Sequence, residues 1–352
     1  MKRLILFATL FALCAAPLKA QTTIKQDQAA QIAQLTEEVN TLKKKSTTWD
    51  KITKALPKIS GYAQTRYEYQ DGEVNSSTFQ LRRVLVTCAG DISPKIDYKL
   101  QAELTSFKML DAYFSYKPLT GLNLRAGQFK IPFSVDNTDY GPTKLEFIDY
   151  SMAMTYLVAT DEAFGNDKIK ANGRDTGAML YGSFANNIIG YELGVFNGYN
   201  LNTKDNNKSK DIVGRLSIRP VEGLLISGAY LWGEFGKEYI KRERWTAAVS
   251  YDYGNWMARS EYIGGNTGDL HSEGVYVAAG YRFCKNWMAV ARYDTYCENT
   301  DLRKQTTTTN YTVGINWRPV KYLLLQANYT YENLMADKGN RNLFQVQATA
   351  MF

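Results

Sequence analysis

The chain has 352 residues, a formal net charge of +7, 45% hydrophobic residues, 25 Tyr, 26 Gly and only 8 Pro. The charge divides as +3 over residues 1–20, +3 over 21–58 and +1 over 59–352, and so neutral a main body gives no reason to invoke nucleic acid as a partner. After the N-terminus no run approaches the ~20 apolar residues of a membrane helix, so a membrane crossing here would have to use strands.

Residues 1–20 read as a secretory signal peptide. Lys2 and Arg3 precede the apolar run from Leu4 to Ala16, and Ala20 offers a cleavage position before Gln21. Residues 21–57 read as a periplasmic stalk. Ile32, Leu35, Val39 and Leu42 recur at spacings of three, four and three, a seam for a short coiled coil that would suit clustered N-termini. The alternative for this stretch is an amphipathic linker.

From residue 58 to 352 the pattern changes to alternation, with sixteen candidate strands at 58–70, 77–90, 95–105, 109–117, 122–130, 174–184, 188–197, 210–219, 223–233, 243–253, 255–264, 273–284, 286–296, 307–318, 321–332 and 342–352. Most have the ~9–11 residues that cross a bilayer at a tilt. Every second connection is tight (91–94, 118–121, 185–187, 220–223, 253–255, 284–286, 319–321), whereas 199–209, 233–242 and 297–306 are long and polar. Short turns at one end and long loops at the other predict an all-β fold, a transmembrane antiparallel barrel. In the last strand Phe344, Val346, Ala348, Ala350 and Phe352 share one face. This alternating strand with a terminal aromatic resembles the C-terminal signal of bacterial outer-membrane proteins.

Residues 131–173 break the rhythm, and a structureless gap of that length is usually functional. The stretch is expected to fold into the barrel and narrow it. Within it, Thr143 and Glu146 have capping-box spacing, which predicts a helix through Leu145, Phe147, Ile148, Met152 and Tyr156. Its acids (Asp136, Asp139, Glu146, Asp149, Asp161, Glu162, Asp167) outnumber Lys144, Lys168 and Lys170 by four. Three readings stay open: the acids face away from the opening, they pair with wall arginines, or the channel has no strong preference for anions.

The segments Phe79-Gln80-Leu81-Arg82-Arg83, Asp111-Ala112-Tyr113, Gly127 to Phe133, Gly173 to Gly177 and Phe196-Asn197-Gly198 together resemble the phosphate-selective porin O and P family. The resemblance covers the barrel and is densest between 79 and 200. It implies a sixteen-stranded, trimeric outer-membrane porin with a constricting third loop and lumenal Arg and Lys that favour anions such as phosphate. The local motif match carries Arg82, Arg125 and Lys130 over as selectivity residues. Alternation alone turns Arg66, Lys99, Arg215, Arg259 and Arg292 inward, where Arg would replace an anion's hydration with planar donors. The plainer role for any one of them is a cross-strand ion pair that stiffens the wall.

Catalysis is not expected. The single His, His271, lies in a Gly-rich polar loop with no flanking Ser nucleophile, and no metal spacing or cofactor motif stands out. The reading is therefore a water-filled channel for small anionic or neutral solutes, set in outer-membrane lipid as a homotrimer with its N-terminus in the periplasm. The alternatives are a non-selective general porin and a structural outer-membrane anchor.

Overall fold

The computed structural model describes residues 34–41, 56–72, 75–161, 169–170, 173–199, 201–334 and 339–352. Residues 34–41 form a helix, α1, whose residues are all exposed, Leu35 and Val39 of the expected seam among them. The expected signal segment, Ile32, Leu42 and most of the expected stalk lie outside the described residues.

The strands are β1 (Lys58–Gln70), β2 (Ser76–Ser93), β3 (Ile96–Glu103), β4 (Lys108–Leu119), β5 (Leu122–Lys130), β6 (Thr160–Asp161), β7 (Ile169–Lys170), β8 (Arg174–Phe184), β9 (Ile189–Phe196), β10 (Asp211–Ile218), β11 (Leu224–Phe235), β12 (Ile240–Tyr253), β13 (Trp256–Thr267), β14 (Leu270–Cys284), β15 (Trp287–Cys297), β16 (Thr307–Val320), β17 (Leu323–Asn333) and β18 (Asn340–Met351). β6 and β7 pair only with each other; the other sixteen form one closed barrel. Each expected strand is present, its ends moved by no more than three residues.

Alternation decides the two surfaces. From β10 onward, buried and exposed residues alternate along most strands, because successive side chains point to opposite faces. The outer face carries Leu216, Ile226, Val249, Val277 and Val313. Trp256, Tyr281, Trp287 and Trp317 ring its short-turn end, with Trp287 and Trp317 stacked at 5.2 Å. A row of Tyr293, Tyr311 and Tyr331 lies nearer the other end. Apolar bands flanked by aromatic girdles are what a bilayer selects.

The barrel closes between β1 and β18, in register from Tyr62 opposite Met351 to Gln70 opposite Leu343. Phe352 finishes the seam by exchanging backbone hydrogen bonds with Gly61, at 2.9 and 3.0 Å. A Cβ at Gly61 would lie 2.6 Å from the Phe352 ring, so the ring needs glycine beneath it.

Candidate functional site

The long loop does fold into the barrel, but the expected helix is absent. Residues 142–144 are a turn and 146–149 a bend; among the described residues of the loop, helix is confined to α2 (Val135–Thr138) and α3 (Met152–Met154), which runs on into a single wide turn at Thr155–Ala159. The reason lies in where the backbone groups find partners. The Leu145 and Glu146 carbonyls accept from Gln326 on β17, Glu146 also from Asn316 on β16, and Thr143 from Arg318. Arg292 on β15 donates to the Asp149 and Tyr150 carbonyls. Wall side chains take the place of an internal ladder.

Wall carboxylates likewise serve the helical turns. Glu261 on β13 accepts from the Val135 amide at 2.9 Å and from the Ser134 hydroxyl at 2.8 Å, and Asp294 on β15 accepts from the Met152 amide at 2.9 Å. Ser134 has φ of 67°, a conformation that costs ~1–3 kcal/mol, and Glu261 fixes it from both sides. Beneath the loop the lumenal wall turns apolar. Phe147 packs among Met257, Tyr276 and Met288, and Met152, Met154 and Leu157 pack among Val213, Leu231 and Ile263. Gly173, with φ of 67°, ends the excursion; a Cβ there would strike the Asn137 side chain at 2.3 Å.

The four acids on described side chains of the loop all meet arginines of the wall. Asp136 and Glu146 lie 3.1 and 2.7 Å from Arg259, Asp139 lies 2.5 Å from Arg215 and 3.4 Å from Arg219, and Asp149 lies 2.9 Å from Arg66. Asp161, Glu162 and Asp167 fall among side chains that are not described. Burial on its own would raise the Asp149 carboxyl; the Arg66 charge and hydrogen bonds from Gln345 and Arg66 outweigh it and hold the group below the usual carboxylate range. Asp149 still keeps 44% of its side-chain surface open to the lumen.

The eight cations singled out from sequence thus sit in distinct surroundings. Arg66, Arg215 and Arg259 are clamped to loop acids, Arg259 being only 1% exposed and lying under the Tyr140 ring at 3.7 Å. Arg292 meets Asp294 at 3.5 Å as well as the loop carbonyls. Lys99 pairs with Asp111 at 2.6 Å, a carboxylate shared with Arg174. Lys130 reaches the base of the loop, its Nζ donating to the Asn137 carbonyl at 2.5 Å. Arg125 has no carboxylate in ion-pair contact among the described residues. Its guanidinium lies 4.2 and 4.8 Å from the Tyr113 and Tyr181 rings and donates to Ser115. Arg82 has no ion-pair or hydrogen-bond partner among the described residues.

Arg83 was missed, because strict alternation from Phe79 and Leu81 puts it outside. The β1–β2 register slips between Gln64 and Thr65, where Gln64 faces Arg83 and Thr65 faces Leu81. Arg82 is the extra residue of this bulge, and Arg83 returns to the lumenal side opposite buried Gln64. The paired arginines in the sequence were the only signal. The hydrogen bonds that hold the loop come from β1, β5, β10 and β12–β18. The inner face of β2–β4, with Arg82, Arg83 and Lys99, lies between β1 and β5 in the ring. A cavity of about 1170 Å³ lies toward the short turns and another of about 460 Å³ lies across the loop from it; the lining passes from one to the other between Glu146 and Asp149.

Comparison with known proteins agrees with this geometry. The model of the family "Phosphate-selective porin O and P" matches residues 60–233. No curated protein matches the chain. Among solved structures, an anion-selective porin from Comamonas acidovorans superposes with a TM-score of 0.67 at 14% identity, over 84% of this chain and 99% of that one. The outer membrane channel DcaP of Acinetobacter baumannii gives 0.59 at 12%, over 84% and 97%, and Salmonella typhi OmpF gives 0.61 at 11%, over 84% and 97%. At these identities the structures speak for the fold alone, that of bacterial outer-membrane channels. With the family match over β1–β11 and the closed sixteen-stranded barrel around an inward loop, the chain has the fold of bacterial outer-membrane channels and is similar to the phosphate-selective porin O and P family over residues 60–233.

Proposed function

We propose that this porin passes small solutes by diffusion with a preference for anions, phosphate among them. One observation carries the reading: the four described acids of the loop pair with wall arginines, while Arg82 and Arg125 face the lumen with no carboxylate in ion-pair contact among the described residues. Their fields are left to act on passing ions. Arg66, Lys99, Lys130, Arg215, Arg259 and Arg292 then act chiefly by holding the loop and wall in shape, adding charge at longer range. The similarity to an anion-selective porin supports the same direction. Catalysis has no part in the reading. Residues 1–20 are removed on export, residues 21–57 form a periplasmic stalk, and the functional unit is a homotrimer.

In a narrow, partly dehydrated pore a single charge is worth about 1 kcal/mol, or roughly fivefold in a permeability ratio. Arg82→Glu and Arg125→Glu should each lower the chloride-over-potassium ratio, read from reversal potentials across a salt gradient, by at least that factor. Lys208→Glu, in an outer loop and screened by salt, should leave it nearly unchanged. Equal shifts in all three, or none, would sink the anion preference in favour of a general porin; absence of conductance would leave only the anchor.

A further inference from the structure

We infer that the 460 Å³ cavity bounded by β15–β18 is a binding subsite for neutral, hydroxyl-rich solutes of the size of a short sugar. The inference rests on the porin reading and adds a second class of solute to it. The volume is within the roughly 300–1,000 Å³ that hold drug-sized ligands.

The charges around this cavity are cancelled locally. Asp149 is held by Arg66, Asp294 by Arg292 and Glu332 by Arg341, so an anion entering here finds its cations already engaged, and Glu298 on the lining repels it. The remaining surface is amide, hydroxyl and aromatic. The Tyr156 and Tyr296 rings lie 4.8 Å apart at 30°, with Tyr156 partly open. On the strands beside them Thr308 and Asn310 alternate inward along β16.

Two details say what kind of molecule fits. Asn310 gives its amide nitrogen to Glu332 while its Oδ1 is closed off from the cavity, and the Thr308 hydroxyl on the lining has no hydrogen-bond partner among the described residues. A hydroxyl without a partner on this wall calls for a group that donates or accepts. Phosphate at neutral pH does not offer a neutral one, because its P–O–H groups come with a charge that Glu298 repels. A sugar does, since each hydroxyl both donates and accepts, and its C–H face can lie on the Tyr156 ring while the hydroxyls reach the β16 row.

The test uses the full-length channel in planar bilayers, with sucrose as probe added from the long-loop side. Sucrose should block the ion current saturably, whereas a polyethylene glycol of equal size should reduce it only in proportion to concentration. Tyr156→Ala should raise the half-blocking concentration roughly tenfold, the loss of one good contact. Because Tyr156 belongs to the loop, Thr308→Val is the second variant; it deletes only a hydroxyl and should raise the same concentration several-fold with conductance in salt unchanged. A sucrose effect no larger or more saturable than that of the glycol, or block unaltered in Thr308→Val, overturns the subsite while leaving the channel standing. A protein that passes no current overturns the porin reading itself.

Discussion

Asp149 shows how one carboxylate can hold a loop without spoiling a pore. It sits at the far reach of the loop, and Arg66 and Gln345 from the β1–β18 seam both donate to it. Because its pKa in the folded protein is depressed, the stability it contributes is present above the ordinary carboxylate value of about 3.9 and is lost as pH falls through the depressed one. The part of conductance and selectivity that rests on Asp149 should therefore change only below about pH 4. Asp149→Asn should abolish that acid step and raise the chloride-over-potassium ratio at neutral pH, since a lumenal negative charge is gone. A step that survives in the variant would assign it to another group. At this scale the sequence told residue types and faces but not partners: Glu146 and Arg259 are 113 positions apart, and no local window links them. Arg83 was hidden for a different reason, a single bulge that no spacing rule announces.

Among the elements, strands were legible because a wall with lipid on one side and a filled lumen on the other forces a period of two. The loop was not, because its hydrogen-bond partners are wall amides such as Gln326 and Asn316, whose inward direction is visible in the sequence but whose guests are not. Strand length carries its own message. β3, like β9 and β10, has eight residues, fewer than the ~9–11 that cross a bilayer, and at the outer end of β3 Phe107 is 91% exposed beside exposed Leu104 and Met109. A second copy of the chain covering β3–β5 would shield this low rim, which makes it the expected face of the trimer. Phe107→Arg should convert trimers to monomers by native mass measurement in mild detergent. Intact trimers would move the contact face elsewhere.

For the whole molecule, the seam is the weakest point to lose. Deleting Phe352 removes both of its backbone hydrogen bonds to Gly61 and the ring that covers that glycine. Export should be normal, because the proposed N-terminal signal is untouched, while the amount reaching the cell surface falls severalfold; normal surface levels of the truncated chain would refute this. The seam also sets an order of events. β1 emerges first from any N-to-C synthesis, yet its closing partner is the last strand made, and Gln64 must find Thr349 across 285 positions. Until then one edge of the sheet waits unpaired, open to pairing with other copies, and the most distant contact in the chain is the last to form. Growth strand by strand would not yield a partly working channel: the wall becomes watertight only when the final residue arrives, so a ribosome that stops early leaves a ribbon rather than a smaller pore.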